Sequence, residues 1–180
     1  TTVEEVIRKA DIALFNAKKE GKNRIVYFDG TIDGKSTKRL DLEKHMRKAA
    51  MNACEEFKVY FQPIIDVTGE DTCAGAEALV RWNSSMLGFI NPADFIPLAE
   101  YLGLINPIGE HVLYEAAKHC KYWNDMGYPD YKVNVNLSVV QLLQNDVVKK
   151  IRKVIDEVKI EPCNLCLEVT ESLAINDMVR

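Results

Sequence analysis

Three short segments carry oxygen side chains at spacings that could do chemistry. In Ala74 to Trp82, one side of a period-2 strand holds Ala76, Ala78, Val80 and Trp82, and the other holds Glu77, Leu79 and Arg81. Lys132 to Leu137 alternates in the same way, with Asn134 and Asn136 opposite Val133, Val135 and Leu137. Leu165 to Thr170 sets Glu168 and Thr170 opposite Leu167 and Val169. An unpaired carboxylate is costly to bury, so an acid inside such a strand wants a partner. Taken singly, the first strand is equally well read as an edge strand with Glu77 and Arg81 in water. Taken together, the three strands offer Glu77, Asn136 and Glu168: two carboxylates and an amide, with no His or Cys. Such oxygen-only donors suit a hard cation such as Mg²⁺ or Mn²⁺. A (β/α) barrel would gather them, because its sites are built at the C-terminal ends of several strands at once.

The elements that would position these residues can be read in order. Thr1 to Glu20 is predicted as a helix, with Thr2 and Glu5 as a capping box and Gly21 as its C-terminal cap. Its apolar residues, Val3, Val6, Ile7, Ala10, Leu14 and Ala17, recur at helical spacing. Arg24 to Phe28 is predicted as a strand. Asp29 to Thr37 is polar and turn-rich and marks the expected domain boundary. Lys38 to Glu56 is predicted helical, followed by a strand from Val59 to Asp66 and a turn at Thr68-Gly69. Asn91-Pro92 should start a short helix, which Pro97 should break or restart. Asn106-Pro107 should open a longer one reaching Met126. Ser138 with Gln141 forms a capping box, and Asn145 or Asp146 should start the next helix. The alternation of strands and helices implies a parallel α/β arrangement.

The chain has 180 residues, nearly half of them apolar, and a net charge of −4. That length can bury a core, and that charge gives no basic bias towards DNA or RNA. No apolar run approaches the length needed to span a membrane. Five cysteines, an odd number with no short-spaced framework, are expected to be reduced thiols of a cytoplasmic protein. Cys163 and Cys166 form a lone Cys-x-x-Cys, expected to serve packing rather than zinc. Gly30 to Ser36 looks like a phosphate-binding loop but has three residues between its glycines where that motif needs four.

The motif Glu77-Ala78-Leu79, with Arg81-Trp82 behind it, resembles the signature of the EAL family, whose domains hydrolyse or bind cyclic di-GMP. Its surroundings also match: Tyr60-Phe61-Gln62-Pro63-Ile64, Asn91 to Glu100, Gly103-Leu104-Ile105, Asn134 to Ser138, and Leu167 to Ser172. Arg8 to Asn23 resembles the last helix of a GGDEF domain. The characteristic hairpin of that family is absent, so no cyclase activity is expected. The resemblance therefore implies the tail of a GGDEF domain over residues 1–29, a linker and helix over 30–57, and the N-terminal portion of an EAL domain over 58–180. The implied fold is a partial (β/α) TIM-type barrel preceded by a helix–strand remnant. Glu77, Asn136 and Glu168 are then implied metal ligands. Gln62 and Arg81 would contact the dinucleotide, Leu79 would line its pocket, and Glu171 would position a catalytic loop. The implied cofactor is a pair of Mg²⁺ or Mn²⁺ ions, whose remaining ligands (an acidic pair, a lysine and further carboxylates) would follow Arg180. The implied activity of a longer parent is hydrolysis of cyclic di-GMP to linear pGpG, with the present chain alone inactive. Two other readings stay open: a degenerate receptor that binds cyclic di-GMP, and a fragment that pairs with a second copy through its open sheet. Membrane attachment through another part of a longer parent also stays open. Trp82-Asn83-Ser84-Ser85 departs from the His-Pro that the family often has near this point.

Overall fold

A computed structural model of the chain describes residues 2–19, 21, 23–28, 33–68 and 72–169. Its elements are α1 (Val3–Lys19), α2 (Asp33–Met51), β1 (Phe57–Asp66), β2 (Thr72–Ser84), β3 (Gly88–Ile90), α3 (Pro92–Tyr101), α4 (Ile105–Asp125), β4 (Lys132–Leu137), α5 (Val139–Leu142), α6 (Val147–Val158), a 3₁₀ turn (Pro162–Asn164) and β5 (Leu165–Val169). The chain divides into two units, Thr1–Lys44 and His45–Arg180.

In the first unit, α1 starts where the Thr2 hydroxyl accepts from the Glu5 backbone N–H at 3.2 Å. It is followed by Gly21 at φ +107°, a left-handed position suited to glycine. Ile12 and Ala17 are buried, whereas Val3, Val6, Ile7 and Leu14 stay exposed. The strand predicted over Arg24 to Phe28 does not form; residues 25–28 have no regular structure. A strand is stabilised by a ladder partner, and none lies beside this segment among the described residues. The side chains of Ile25 and Tyr27 are accordingly exposed. Most of the glycine-bearing loop at Gly30 to Ser36 falls outside the described residues or within the start of α2.

The second unit is built on a mixed sheet in the order β1-β2-β4-β5, with β3 on the far end of β2. β1 and β2 are antiparallel, so the parallel arrangement expected from the alternation holds for β2, β4 and β5 and not for β1. The five residues between β1 and β2 are too few for a parallel crossover, which needs a dozen or more. β2 with β4 and β4 with β5 are parallel, joined through helical crossovers. Gly75, at φ +150°, lets the strands close up: a Cβ there would stand 2.0 Å from the Lys132 carbonyl oxygen.

One face of the sheet is packed by helices. Phe57, Trp82 and Phe95 are fully buried, with ring centroids 5.4 to 5.8 Å apart. α4 lays Ile108, Val112, Leu113, Ala116, Ala117 and Cys120 into the same core, against Val133, Val135 and Leu137. Two helix predictions are corrected. α2 ends at Met51 instead of running to Glu56, because Ala53 and Cys54 turn to positive φ. α3 runs through Pro97, which stands five residues inside it. Burial of Phe95, Leu98 and Ala99 holds the helix across the missing donor. The segment after Trp82 forms a hairpin tied down by Glu56. That carboxylate accepts from Trp82 Nε1 at 3.0 Å, from the Ser85 backbone N–H at 3.1 Å and from Ser85 Oγ at 2.7 Å.

Candidate functional site

The other face of the sheet carries the polar residues. In the β1–β2 ladder Gln62 stands opposite Glu77, Tyr60 opposite Leu79, and Lys58 opposite Arg81. Directly paired residues share a face, so Gln62, Leu79 and Arg81 lie on the side of Glu77. Across the parallel ladders Glu77 is level with Asn134, and Asn136 is level with Glu168. The three strands thus bring Glu77, Asn136 and Glu168 to one face. Asn136 and Glu168 stand near the C-terminal ends of β4 and β5. Glu77 stands near the end of its pairing with β4, in the middle of the longer β2. Thr170 and Glu171 lie outside the described residues.

The side chains connect diagonally. Asn136 Nδ2 donates to Glu77 Oε1 at 2.7 Å, and Asn134 Nδ2 donates to Glu168 Oε1 at 2.5 Å. An ionised carboxylate only accepts, so each amide must present its nitrogen to it. Each carboxylate then has one oxygen held and a second that carries no hydrogen bond among the described residues. Both amide oxygens are likewise open. Asn134 was legible on this face from its spacing, but a role for it was not; its signal was only that it sits two residues before Asn136.

The end of β4 is fixed from below. Ser138 caps α5 through a full capping box, with its backbone N–H donating to Gln141 Oε1 at 3.1 Å. Its hydroxyl donates to the Glu100 carboxylate at the end of α3. Gly109 of α4 makes room for Gln141, whose side chain a Cβ would strike at 2.0 Å. These contacts hold the strand end that carries Asn136.

The other titratable groups do not join the site. His111 Nε2 lies 3.0 Å from the Phe57 carbonyl oxygen, and the His119 ring packs on Phe61; both are on α4, across the sheet from the carboxylates. Burial pushes the Cys120 thiol up to about 11, which removes it as a nucleophile. Among the described residues no group of three or more His, Cys, Asp or Glu could hold a metal ion. The donor set on the polar face is two carboxylates with amide oxygens, which by its chemistry fits a hard divalent cation.

Comparison with known proteins gives a consistent picture. The family model for the EAL domain matches residues 45–179. The bifunctional diguanylate cyclase/cyclic di-GMP phosphodiesterase MucR of Pseudomonas aeruginosa is 35% identical over 176 residues, covering 98% of this chain and 25% of that protein. The cyclic di-GMP phosphodiesterase PdeR of Escherichia coli is 34% identical over 172 residues, covering 96% and 25%. The solved structure of the PaMucR phosphodiesterase in complex with c-di-GMP matches with a TM-score of 0.66 at 37% identity, over 76% of this chain and 54% of that one. The EAL enzyme Bd1971 with bound cAMP and cyclic di-GMP matches with a TM-score of 0.71 over 98% of this chain; at 23% identity that likeness concerns the fold. The chain spans about a quarter of the length of these curated relatives.

Proposed function

The chain belongs to the EAL domain family, and from there we propose that the protein carrying it is a metal-dependent phosphodiesterase of cyclic di-GMP. In this reading Glu77, Asn136 and Glu168 hold a divalent cation, Mg²⁺ or Mn²⁺. Gln62 and Arg81 contact the cyclic dinucleotide, Leu79 lines its pocket, and Glu171 positions a loop. Such cations, held by these residues, would supply charge stabilisation at the phosphoryl group and a nucleophilic water. In the reaction the water oxygen bonds to phosphorus, the P–O3′ bond breaks, and a proton ends on the 3′ oxygen, giving linear pGpG. The residues described here do the binding and orienting. Asn136 holds one oxygen of Glu77, and Arg81 stands two pleats further along the same face, where a phosphate would meet its charge.

The observation that carries the reading is the convergence of two carboxylates and two amides, hydrogen-bonded across three strands on the polar face of the sheet. The N-terminal part is read with it as the tail of a cyclase domain over residues 1–29, a linker and helix over 30–57, and the EAL portion over 58–180. The match to MucR, itself described as bifunctional, extends through α1 and supports that reading.

The test is incubation with cyclic di-GMP and Mn²⁺ and chromatography for pGpG. The full-length protein should form it, and Glu77→Ala and Glu168→Gln should abolish turnover. The 180-residue chain alone should give no more than its Glu77→Ala control. Among its described residues the polar face offers two carboxylates, too few to hold two cations. Binding of cyclic di-GMP by the full-length protein with no pGpG would replace the enzyme with a receptor.

A further inference from the structure

Asn134 is the member of the polar face to which nothing so far gives a role. Its neighbours on β4 explain why it is there at all. Val133 and Val135 are fully buried in the helix-packed core, so the strand's period sends residue 134 to the polar face. That position is half-buried, and a threonine or valine would suit a strand better than asparagine. The amide does not bond to Glu77, with which it is level in the ladder. It reaches forward across β5 to Glu168 at 2.5 Å, while Asn136 reaches back across β2 to Glu77 at 2.7 Å. The two bonds run to opposite sides of β4, so each carboxylate is fixed by the asparagine it does not directly face.

This pattern has a consequence for cation binding. A carboxylate with one oxygen pinned by an N–H loses rotamer freedom before any ligand arrives, and its second oxygen is left to coordinate. Resting on the reading of Glu77, Asn136 and Glu168 as metal ligands, we propose that Asn134 is the positioning residue for Glu168: it orients that carboxylate for the divalent cation. Outer-shell partners of this kind typically govern 10–100-fold of metal affinity. The alternative is that Asn134 only ties β4 to β5.

The experiment is a Mn²⁺ titration of the full-length protein, read as free Mn²⁺ by electron paramagnetic resonance, together with thermal melting of the metal-free protein and steady-state kinetics. Asn134→Ala should weaken Mn²⁺ binding by about 10–100-fold and lower kcat at fixed Mn²⁺, with KM for cyclic di-GMP unchanged. Asn134→Leu, which fills nearly the same volume without a donor, should do the same and guards against a fold defect in the alanine variant. Weakened melting with Mn²⁺ affinity unchanged would overturn the proposal and leave Asn134 a strand tie. Glu168→Gln separates the two levels. If it loses Mn²⁺ while Asn134→Ala and Asn134→Leu keep it, the positioning role falls and the metal site stands. If Glu168→Gln binds Mn²⁺ as the unaltered protein does, the metal site falls and the positioning role with it.

Discussion

Substitution of Gly75 by alanine should damage both the fold and the site, and the structure says by how much. A Cβ at Gly75 would lie 2.0 Å from the Lys132 carbonyl oxygen and under 3.0 Å from two more backbone atoms, where 3.4 Å begins ordinary contact. All three atoms are backbone, so no side chain can swing aside. β2 and β4 must part by more than an ångström at this point. Gly75 also sits at φ +150°, which an alanine rarely adopts. Overpacking of this kind costs about 1–3 kcal/mol and the backbone conformation about 1–2 more. A loss of roughly 2–5 kcal/mol lowers the melting temperature by on the order of 5–15 °C for a chain of this size. The site should suffer with it, because Glu77 lies two residues along β2 and its bond to Asn136 is 2.7 Å. Parting the strands by more than an ångström carries that bond beyond hydrogen-bonding reach. Gly88 is the internal control. It too has positive φ, +74°, but nothing lies within 4 Å of its would-be Cβ. Gly88→Ala should cost only the backbone penalty, about 1 kcal/mol, and leave the site alone. Urea unfolding and Mn²⁺ titration of both variants decide the matter. If Gly75→Ala matches Gly88→Ala in midpoint and in Mn²⁺ affinity, the close approach of β2 to β4 does not constrain the site and the reasoning fails.

Two further outcomes follow from the packed face and the edges. Glu56 is partly desolvated, which raises its pKa, but hydrogen bonds from Ser85, Trp82 and Ser84 outweigh this and hold its carboxyl below the ordinary range. Its contribution to stability is therefore present above the unfolded pKa and lost as pH falls through the folded value. Acid unfolding followed by Trp fluorescence should show a shallower acid limb for Glu56→Gln, and an unchanged limb would exclude this hairpin tie as an acid-sensitive element. The 180-residue chain should also sediment as a dimer or larger at micromolar concentration. Among the described residues β5 pairs on one side only, Val169 at its end is exposed, and the polar sheet face is uncovered. A well-behaved monomer would reject this.

The phase of each strand was legible in the sequence for a simple reason. With a period of two, Val133, Val135 and Leu137 in the core put Asn134 and Asn136 on the opposite face, whatever the rest of the chain does. The same holds for Trp82 against Glu77 and Arg81. The caps at Asn91 and Ser138 were legible too, since a cap is a contact within four residues. What failed depended on distant partners. Arg24 to Phe28 has strand-like residues but no ladder neighbour among the described residues, and alternation says nothing about neighbours. Pro97 stays helical because Phe95 and Leu98 are held by a core that local propensity does not see. The antiparallel course of β1 against β2 follows from the shortness of their connection, which the general alternation of strands and helices does not weigh.

The diagonal bonds of the polar face belong to a third kind, decided by register rather than by phase or by partner. Sequence spacing shows that Asn134, Asn136, Glu77 and Glu168 share a side. It cannot show which amide meets which carboxylate, because that turns on how far β2, β4 and β5 are shifted along one another. The shift places Asn134 level with Glu77 and Asn136 level with Glu168, yet the bonds run to the diagonal neighbours. In a parallel ladder the diagonal neighbour is within reach of a long side chain such as glutamate. A one-residue slip of β5 would send Glu168 into the core beside Val135, at the cost of an unpaired buried carboxylate. A two-residue slip would keep it on the polar face but out of reach of one amide. The buried apolar residues of the helix-packed side exclude the first slip. The diagonal amide–carboxylate bonds distinguish the second, so residues placed for chemistry also help set the register of the sheet that carries them.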